Sequence, residues 1–340
     1  PTVVFHTARD IDDWSNLVAR CMYMCGVRRG DVFQNTMGYG LFTGGLGFHY
    51  GAEKIGALTI PIGPGNSKRQ IWFLQKFETT AIHILPSYAL HLFTYFRECE
   101  VDPRKDLKLK VAFVGAEPHS EEMRRQIEEL YGIKAYNSYG FSELCGPGVA
   151  FECPEQEGMH IWEDFCHVEV IDPETAQVLP DGEEGELVLT SLRREAMPLI
   201  RYRTRDLTRI LPGPCRCGRT HRRIARFTGR SDDMLIINGV NLFPVQIEKT
   251  IMKVPGVGRN YVIEVHKEEY MDRLHIKIEV TPEMITGLVT ELERLKKRIA
   301  GDLHAELGVT PKIDLVAPGS LPVAEGKAKR VIDLRNAPRG

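Results

Sequence analysis

Short apolar runs alternate with amphipathic helical patterns through the first 131 residues, and this alternation constrains the fold more than any other feature. Runs of strand length lie at residues 32–35, 58–62, 81–85 and 111–114, and helical patterns lie at 9–25, 68–77, 88–99 and 120–130. Strands that alternate with helices build a mostly parallel sheet that helices cover on both faces. Ligands of such sheets bind beyond the carboxyl ends of the strands. We therefore predict an α/β body whose binding site lies at that edge.

The pattern changes twice after residue 150, which predicts two further structural parts. Two antiparallel strands, at 167–171 and 186–190, flank a turn-rich loop and indicate an antiparallel subdomain at about 150–231. Strand and helix patterns after residue 260 indicate a small α+β domain. The polar stretch GRSDDMLIINGVNLFP, at 229–244, joins the parts as a candidate hinge. Taken alone, its pattern more often indicates an ordinary strand and hairpin edge.

Composition and charge exclude several classes of function. The 340 residues exceed what one ordinary core accommodates, and 43% hydrophobic and 26% charged residues are typical of a soluble globular protein. A formal net charge of −2 gives no electrostatic basis for binding nucleic acid or an anionic membrane surface. No apolar run is long enough to span a bilayer and the first residues carry no signal-peptide pattern, so we expect a cytoplasmic protein.

Seven glycines between residues 38 and 56 have the spacing of a phosphate-binding loop. No Gly-Lys-Ser/Thr follows them, and those are the residues of such a loop that bind phosphate and Mg²⁺. We therefore favour the alternative, in which small residues let a helix pack closely on the sheet.

Two predicted strand ends carry residue types that suit a nucleotide. Gly115-Ala116-Glu117-Pro118 follows one strand directly; its glycine would let the backbone approach a flat ligand, although a plain strand-to-helix turn fits equally. The next strand, KAYNSYGFSE at 134–143, ends with aromatic rings, a hydroxyl and a carboxylate. A tyrosine ring could stack on a base, and serine and glutamate oxygens could hold Mg²⁺ beside phosphate. The alternative is a tyrosine-rich edge strand with an exposed glutamate.

Charged residues later in the chain supply two further candidates. In LIRYRTRD, Asp206 stands at a strand end among arginines and could accept hydrogen bonds from a ribose diol, with a structural salt bridge as the alternative. Near the C-terminus, EGKAKR places Lys327 on a predicted turn with Arg330 nearby. A basic, solvated tail is the simpler explanation of that segment when it is taken alone.

Eight cysteines in a chain that we expect to be cytoplasmic favour metal ligands or free thiols over disulfides. Cys215 and Cys217 form a Cys-x-Cys pair, and Cys153 and His160 lie seven residues apart upstream. The four side chains would complete the Cys₃His set that is typical of structural Zn²⁺. We expect all four on loops, and four unrelated polar loop residues are the alternative. Spare candidates are Cys145 and His221.

Five motifs occur together in one order: GAEP, YGFSE, RYRTRD, GRSDDMLIINGVNLFP and EGKAKR. That order resembles the adenylate-forming superfamily of acyl-CoA synthetases, luciferases and peptide-synthetase adenylation domains. DDMLIINGVNLFP and EGKAKRVID, with IWEDF and PLIRYRTRD, are similar to the phenylacetate–CoA ligase family in particular. The resemblance covers nearly the whole chain. It implies a large N-terminal AMP-binding domain at 1–231 and a small, mobile α+β lid domain at 232–340.

The resemblance implies an AMP-forming acid–thiol ligase of aromatic catabolism. Such an enzyme joins coenzyme A to an aryl acid, here phenylacetate, through an acyl-adenylate, and releases AMP and diphosphate. Its substrates ATP, coenzyme A and the acid are small molecules, Mg²⁺ is its metal cofactor, and a homodimer is one oligomeric state that we leave open. One alternative is an adenylation domain that charges a carrier protein, and another is a nucleotide-binding module without chemistry.

The resemblance also implies a nucleotide site in the large domain. Residues that would line the adenine are Gly115, Ala116, Glu117, Pro118, Ser138, Tyr139 and Gly140, with Tyr139 stacked on the base. Ser142 and Glu143 would lie at the α-phosphate and Mg²⁺. Asp206 would bind the ribose hydroxyls with help from Arg230.

The remaining implied roles concern the joint, the lid and the acid. Asp232 would be the hinge, Lys327 would reach the α-phosphate and the carboxylate during adenylation, and the Gly239 loop would line the coenzyme A channel. By position alone, the residues that would line an aryl pocket are Tyr136, Phe141, Ile60 and Gly63.

Two features depart from the superfamily pattern. The superfamily's phosphate loop ends in Gly-Lys-Pro and Pro1 fits that proline, so we expect a fold that lacks its extreme N-terminal segment. The sequence Thr204-Arg205-Asp206 stands where the wider superfamily usually has Thr-Gly-Asp. Phenylacetate–CoA ligases resemble this chain at that position.

Overall fold

The structure is a computed structural model, and it describes residues 3–40, 43–233, 235–238, 240–268, 271–285, 289–322 and 330–335. Backbone contacts divide these residues into two compact units. The first unit comprises the described residues up to Glu117 together with Arg125–Ser231. The second comprises Pro118–Arg124 and the described residues from Asp232 onwards.

The first unit is built from five helices and thirteen strands among its described residues. The helices are α1 (Ala8–Met24), α2 (Thr43–Ile55), α3 (Ser67–Lys76), α4 (Pro86–Glu98) and α5 (Glu121–Tyr131), of which the first turn of α5 is grouped with the second unit. The strands are β1 (Val32–Asn35), β2 (Leu58–Ile60), β3 (Ala81–Ile84), β4 (Val111–Gly115), β5 (Lys134–Phe141), β6 (Gly146–Glu152), β7 (Met159–Ile161), β8 (Cys166–Ile171), β9 (Gly185–Ser191), β10 (Tyr202–Thr208), β11 (Ile210–Leu211), β12 (Arg223–Ile224) and β13 (Gly229–Arg230).

The main sheet has nine strands in the order β11-β12-β7-β6-β5-β4-β3-β1-β2. Neighbours from β2 to β5 are parallel, whereas β5, β6, β7, β12 and β11 pair antiparallel. This mixed sheet with its helices confirms the predicted α/β body. It also places the ends of β4 and β5 side by side, because Gly115 lies opposite Ser138.

A second sheet contains four antiparallel strands in the order β13-β10-β9-β8. Residues 150–231 therefore do not form one antiparallel sheet, because β6, β7, β11 and β12 extend the main sheet instead. The periodicity of the sequence identifies strands but not their partners, which depend on contacts between distant residues.

Glycines on α2 allow close packing against α1. A Cβ atom added at Gly47 would lie 2.5 Å from the ring of Trp14, and one at Gly51 would lie 2.7 Å from the side chain of Val18. The Trp14 ring also donates a hydrogen bond to the Pro147 carbonyl oxygen on β6, at 2.8 Å. The glycine-rich stretch is thus explained by helix packing, mainly against another helix rather than against the sheet alone.

The second unit consists of a hairpin, a four-stranded sheet and helices. Its strands are β14 (Leu235–Ile237), β15 (Val240–Leu242), β16 (Val257–Glu268), β17 (Met271–Val280), β18 (Lys312–Val316) and β19 (Val331–Asp333), and its further helices are α6 (Pro244–Ile251), α7 (Pro282–Ile285) and α8 (Val289–Leu307). The sheet order is β18-β17-β16-β19. Asn238 has φ of 50° in the turn after β14, as a turn-forming asparagine tolerates. No helix among the described residues is long and apolar enough to cross a membrane.

Candidate functional site

A bulge in β10 sets the position of Asp206. The pairing of β10 with β9 shifts register between Arg203 and Leu207, and Arg205 inside the bulge has φ of +68°. Glu186, fully buried on β9, accepts hydrogen bonds from the Arg203 guanidinium at 2.6 Å and from the Arg205 backbone N–H at 3.3 Å. A left-handed backbone at a residue other than glycine needs such support, so Glu186 stabilises the turn that carries Asp206.

The Asp206 carboxylate lies between a phenol and a guanidinium. Its Oδ2 accepts a hydrogen bond from the Tyr139 hydroxyl at 2.6 Å, and its Oδ1 accepts one from Arg230 at 2.9 Å. Burial and the adjacent Asp206 charge raise the pKa of Tyr139 well above its ordinary value, so the hydroxyl stays a donor at neutral pH. The structure therefore brings three of the predicted nucleotide-site residues into direct contact.

Four aromatic rings form a surface beside this carboxylate, and the sequence analysis identified only two of them. Tyr139 packs against Phe227 with ring centroids 4.4 Å apart, and Phe141 stacks on Tyr202 at 5.4 Å. The missed residues are Tyr202 and Phe227. Their closeness in sequence to predicted site residues could have identified them, because Tyr202 stands four residues before Asp206 and Phe227 stands three before Arg230.

The Gly115–Pro118 segment is held in a strained turn. A Cβ atom at Gly115 would lie 2.5 Å from the Ser138 hydroxyl, so glycine is needed here for β4 to approach β5. Ala116 adopts φ of +64°, and the Glu117 carboxylate accepts a hydrogen bond from the Ser87 backbone N–H at 2.6 Å. Positive φ also occurs at Glu78, Glu100 and Ala176, so this geometry is compatible both with a binding loop and with a plain strand-to-helix turn.

The turn after β5 carries Ser142 and Glu143. The Ser142 hydroxyl lies 3.2 Å from the Thr43 hydroxyl at the start of α2. The buried Arg194 donates hydrogen bonds to the carbonyl oxygens of Glu143, at 2.7 Å, and of Leu144. Arg194 was missed by the sequence analysis because nothing local connects it with a segment fifty residues earlier.

The residues predicted for an aryl pocket are not brought together. Tyr136 lies among Cys25, Glu152 and Cys153 at the start of β5, and burial raises its pKa to about 12. Ile60 is buried on β2, four strands away, which corresponds to about 19 Å at the usual strand spacing. The other two predicted pocket residues lie apart from Tyr136: Phe141 packs beside Tyr139, and Gly63 follows β2. The role of these residues in binding the acid stays a prediction.

Three predicted residues cannot be placed at the site. Lys327 and Gly239 lie outside the described residues. Asp232 is exposed and begins the second group of residues. Their roles stay predictions.

The four predicted zinc ligands converge. Ligand atoms of Cys153, His160, Cys215 and Cys217 all lie within 4.8 Å of one another. The expectation that all four stand on loops was wrong, because His160 lies on β7, where it pairs opposite Arg223 of β12. Burial lowers the pKa of His160, which keeps the ring neutral. The spare candidates Cys145 and His221 do not belong to this group.

A second metal-competent group was not predicted. Glu264, His266 and His275 approach one another on the paired strands β16 and β17. The Lys277 ammonium lies 2.6 Å from Glu264, so this carboxylate already has a cationic partner. Alternating charged residues on two predicted neighbouring strands were the signal for this group.

Comparisons with known proteins give matches over nearly the whole chain. Family models for an AMP-binding enzyme and for an AMP-binding enzyme C-terminal domain match residues 3–192 and 239–335. Phenylacetate-coenzyme A ligases from Aromatoleum evansii and Pseudomonas putida are 48% and 46% identical to the chain over 98% and 99% of its length, and the chain covers 76% of each. Among solved structures, a 2-hydroxyisobutyryl-CoA ligase in complex with 2-HIB-AMP has a TM-score of 0.92 at 32% identity, over 96% of this chain and 70% of that chain.

Proposed function

The chain belongs to the phenylacetate–CoA ligase family of AMP-binding enzymes, and we propose that it ligates coenzyme A to phenylacetate at the expense of ATP. The observation that carries this proposal is identity to phenylacetate-coenzyme A ligases across nearly the whole chain. In the first step a carboxylate oxygen attacks the α-phosphorus of ATP and diphosphate leaves. In the second step the coenzyme A thiol attacks the acyl carbonyl and AMP leaves.

The nucleotide site proposed for the first unit is centred on Asp206. Its carboxylate would accept hydrogen bonds from the ribose hydroxyls, and the contacts with Arg230 and Tyr139 support this role by fixing its orientation. The Tyr139 ring would stack on the adenine. The backbone that would approach the base comprises Gly115, Ala116, Glu117, Pro118, Ser138 and Gly140. The close approach of Gly115 to Ser138 supports this assignment, because it places the backbone at the end of β4 directly beside β5.

The oxygen donors at the β5–β6 turn fit Mg²⁺. Magnesium prefers one or two carboxylates together with phosphate oxygens and water, and Glu143 with the neighbouring Ser142 hydroxyl supplies such a set. Bound there, the ion would offset negative charge on the phosphates of ATP. The hydrogen bonds described above from Arg194 to this turn end on backbone carbonyl oxygens. They therefore leave the Glu143 carboxylate available to a cation.

Chemistry also explains the proposed roles of the second unit. A carboxylate that attacks ATP is an anion meeting an anion, so a cation is required where charge develops on the α-phosphate. Lys327 would supply it during the first step. Rotation about Asp232 would then withdraw the lysine and bring the Gly239 loop to the coenzyme A channel, so that one site performs two steps in sequence. Zinc has no part in these steps, because a closed set of four protein ligands leaves no position for a substrate.

A panel of aryl and aliphatic acids tests the proposal in an assay of ATP- and coenzyme A-dependent AMP release. Phenylacetate should give the highest kcat/KM, and Phe141→Ala should lower kcat/KM for phenylacetate more than for a short aliphatic acid if Phe141 lines the acyl pocket. Asp172→Asn, a change on an exposed turn, is the matched surface control.

Three outcomes would contradict the proposal. Nucleotide binding without diphosphate release for any acid would indicate a binding module. Diphosphate release whose adenylate is discharged by a carrier protein but not by coenzyme A would indicate the carrier-charging alternative. A consistent preference for aliphatic acids would refute phenylacetate as the substrate.

A further inference from the structure

We propose that Cys153, His160, Cys215 and Cys217 bind one structural Zn²⁺ ion that ties the segment between β6 and β7 to the loop between β11 and β12. The proposal does not depend on the ligase activity, because none of these residues belongs to the nucleotide site.

Two distances between ligand atoms are close to those of a tetrahedral zinc site, and all four ligand atoms lie within 4.8 Å of one another. Zinc–sulfur and zinc–nitrogen bonds of the usual lengths place two sulfurs about 3.8 Å apart and a sulfur and a nitrogen about 3.6 Å apart. The sulfurs of Cys153 and Cys215 are 3.7 Å apart, and the Cys217 sulfur lies 3.3 Å from Nε2 of His160. A disulfide would need about 2.05 Å, so the thiols are arranged around a common point rather than bonded to each other.

The histidine is held in the tautomer that a metal requires. Nδ1 of His160 lies 3.0 Å from the backbone carbonyl oxygen of His221, which can only accept a hydrogen bond. Nδ1 therefore carries a hydrogen, which leaves Nε2, 3.3 Å from the Cys217 sulfur, as the ligand atom. A carbonyl that orients a histidine in this way is the usual outer partner of a zinc ligand.

Local backbone geometry presents the cysteines as a compact group. The Gly218 N–H bonds to the Cys215 carbonyl at 3.0 Å, and the Gln156 N–H bonds to the Cys153 carbonyl at 2.9 Å, so each cysteine opens a tight turn. Gly218 has φ of +78°, which glycine adopts without strain. Three of the four ligands are buried, and the fourth, Cys217, is half-buried.

The surrounding charges fit a bound ion. Three thiolates, a neutral imidazole and Zn²⁺ sum to one negative charge. The arginines Arg219 and Arg223 both act electrostatically on His160, so positive charge already lies beside the group. Unrelated polar residues would have no reason to place three sulfurs and an imidazole nitrogen together within the protein. A set of four protein ligands is closed, which makes the role structural rather than catalytic.

Apart from the pairing of short strands, polar contacts join the two segments that the ion would connect. Arg216 forms ion pairs with Glu155 and Glu157, and Arg223 donates a hydrogen bond to the Glu157 carbonyl oxygen at 2.8 Å. The Arg216 side chain is 70% exposed, and exposed ion pairs contribute little to stability. Metal binding would therefore contribute directly to folding of this part of the first unit.

Elemental analysis of untagged protein purified without chelator provides the test. We expect about one zinc per chain, and strong visible and near-ultraviolet bands of tetrahedral cobalt–thiolate coordination after exchange with Co²⁺. Cys217→Ser should reduce the zinc content to near zero, and chelator treatment of the wild type should lower Tm by about 5 °C or more.

Cys99→Ser is the matched control, because Cys99 is also a free, half-buried cysteine but lies at the end of α4. It should change neither metal content nor the response to chelator. Cys21 is less suitable, since it is fully buried and lies against Trp162. Wild-type protein that contains no zinc and shows no cobalt–thiolate bands would overturn the proposal, whether or not Cys217→Ser folds. Full retention of zinc by a folded Cys217→Ser variant would also overturn it.

Discussion

Two substitutions at Tyr139 separate the role of its hydroxyl from the role of its ring. Tyr139→Phe removes the hydrogen bond to Asp206 and keeps the ring against Phe227. Tyr139→Leu removes both. If the ring stacks on adenine, as we propose, the leucine variant should weaken nucleotide binding more than the phenylalanine variant, which affects binding only through the orientation of Asp206.

The two contacts that the variants lose determine the expected changes in Tm and in AMP affinity. A hydrogen bond to a charged group contributes about 1.5–3 kcal/mol to stability. For a unit of this size, this corresponds to a fall in Tm of about 3–12 °C in both variants. Loss of an aromatic stacking contact costs about 0.5–1.5 kcal/mol, which would weaken binding of AMP by a factor of about 2–13 in Tyr139→Leu. The phenylalanine variant should bind AMP within about threefold of the wild type.

Differential scanning fluorimetry and isothermal titration calorimetry with AMP measure the two effects on the same samples. An equal loss of AMP affinity in both variants would show that Tyr139 supports nucleotide binding through its hydrogen bond to Asp206 and not through its ring. Unchanged affinity in Tyr139→Leu would refute stacking on the adenine altogether. An unchanged Tm in Tyr139→Phe would contradict the stabilising role of the bond to Asp206.

Three further changes probe other parts of the molecule. Lys327→Ala should abolish formation of the acyl-adenylate, measured as diphosphate release, and leave thioester formation from supplied acyl-adenylate largely intact; equal loss of both would refute a role confined to the first step. Gly140→Ala should lower the free energy of unfolding in urea by about 3 kcal/mol or more, because its new Cβ would lie 2.6 Å from backbone atoms of β6. Gly301→Ala is the control, because Gly301 stands on a helix with open space around it, and this change should be neutral or stabilising. Similar losses in both variants would contradict the steric explanation. Burial alone would raise the pKa of Glu186. The hydrogen bond from Arg203 and its positive charge lower this pKa by more, so it lies below its ordinary value. The ionised Glu186 carboxylate therefore stabilises the fold above its unfolded pKa of about 4.3, and this stabilisation is lost as pH falls through the folded pKa. The difference in free energy of unfolding between wild type and Glu186→Gln, measured in urea, should decrease from pH 7 to about pH 3.5. A difference that increases over this range would contradict a lowered pKa of Glu186.

The sequence was sufficient for features that depend on local periodicity and on the order of motifs. Alternating strand and helix patterns predicted the parallel part of the main sheet, and the order of five motifs predicted the family. Both signals are contained in short segments, where side-chain spacing decides which face of a strand or helix is apolar. The convergence of Cys153, His160, Cys215 and Cys217 was also predicted from residue types alone, although the strand position of His160 was not.

Features that depend on strand partners could not be predicted. The bulge that turns Asp206 towards Tyr139 needs Glu186 from a neighbouring strand, and Arg194 supports a turn fifty residues earlier in the chain. Tyr136 was assigned to an acyl pocket by analogy of position. Strand order, which analogy does not supply, places Tyr136 on β5 and Ile60 on β2, with three strands between them.

The close packing of α1 on α2 affects how this protein tolerates mutation. Gly47 and Gly51 have no room for any side chain, and the helix on which they stand begins at Thr43, whose hydroxyl contacts Ser142. In a saturation-mutagenesis map, both glycines would score as severely as residues that touch substrate, although neither is among the residues proposed to bind the nucleotide. Fitness data alone would suggest that the two glycines act in catalysis. A parallel measurement of protein abundance would show that their substitution lowers the amount of folded protein.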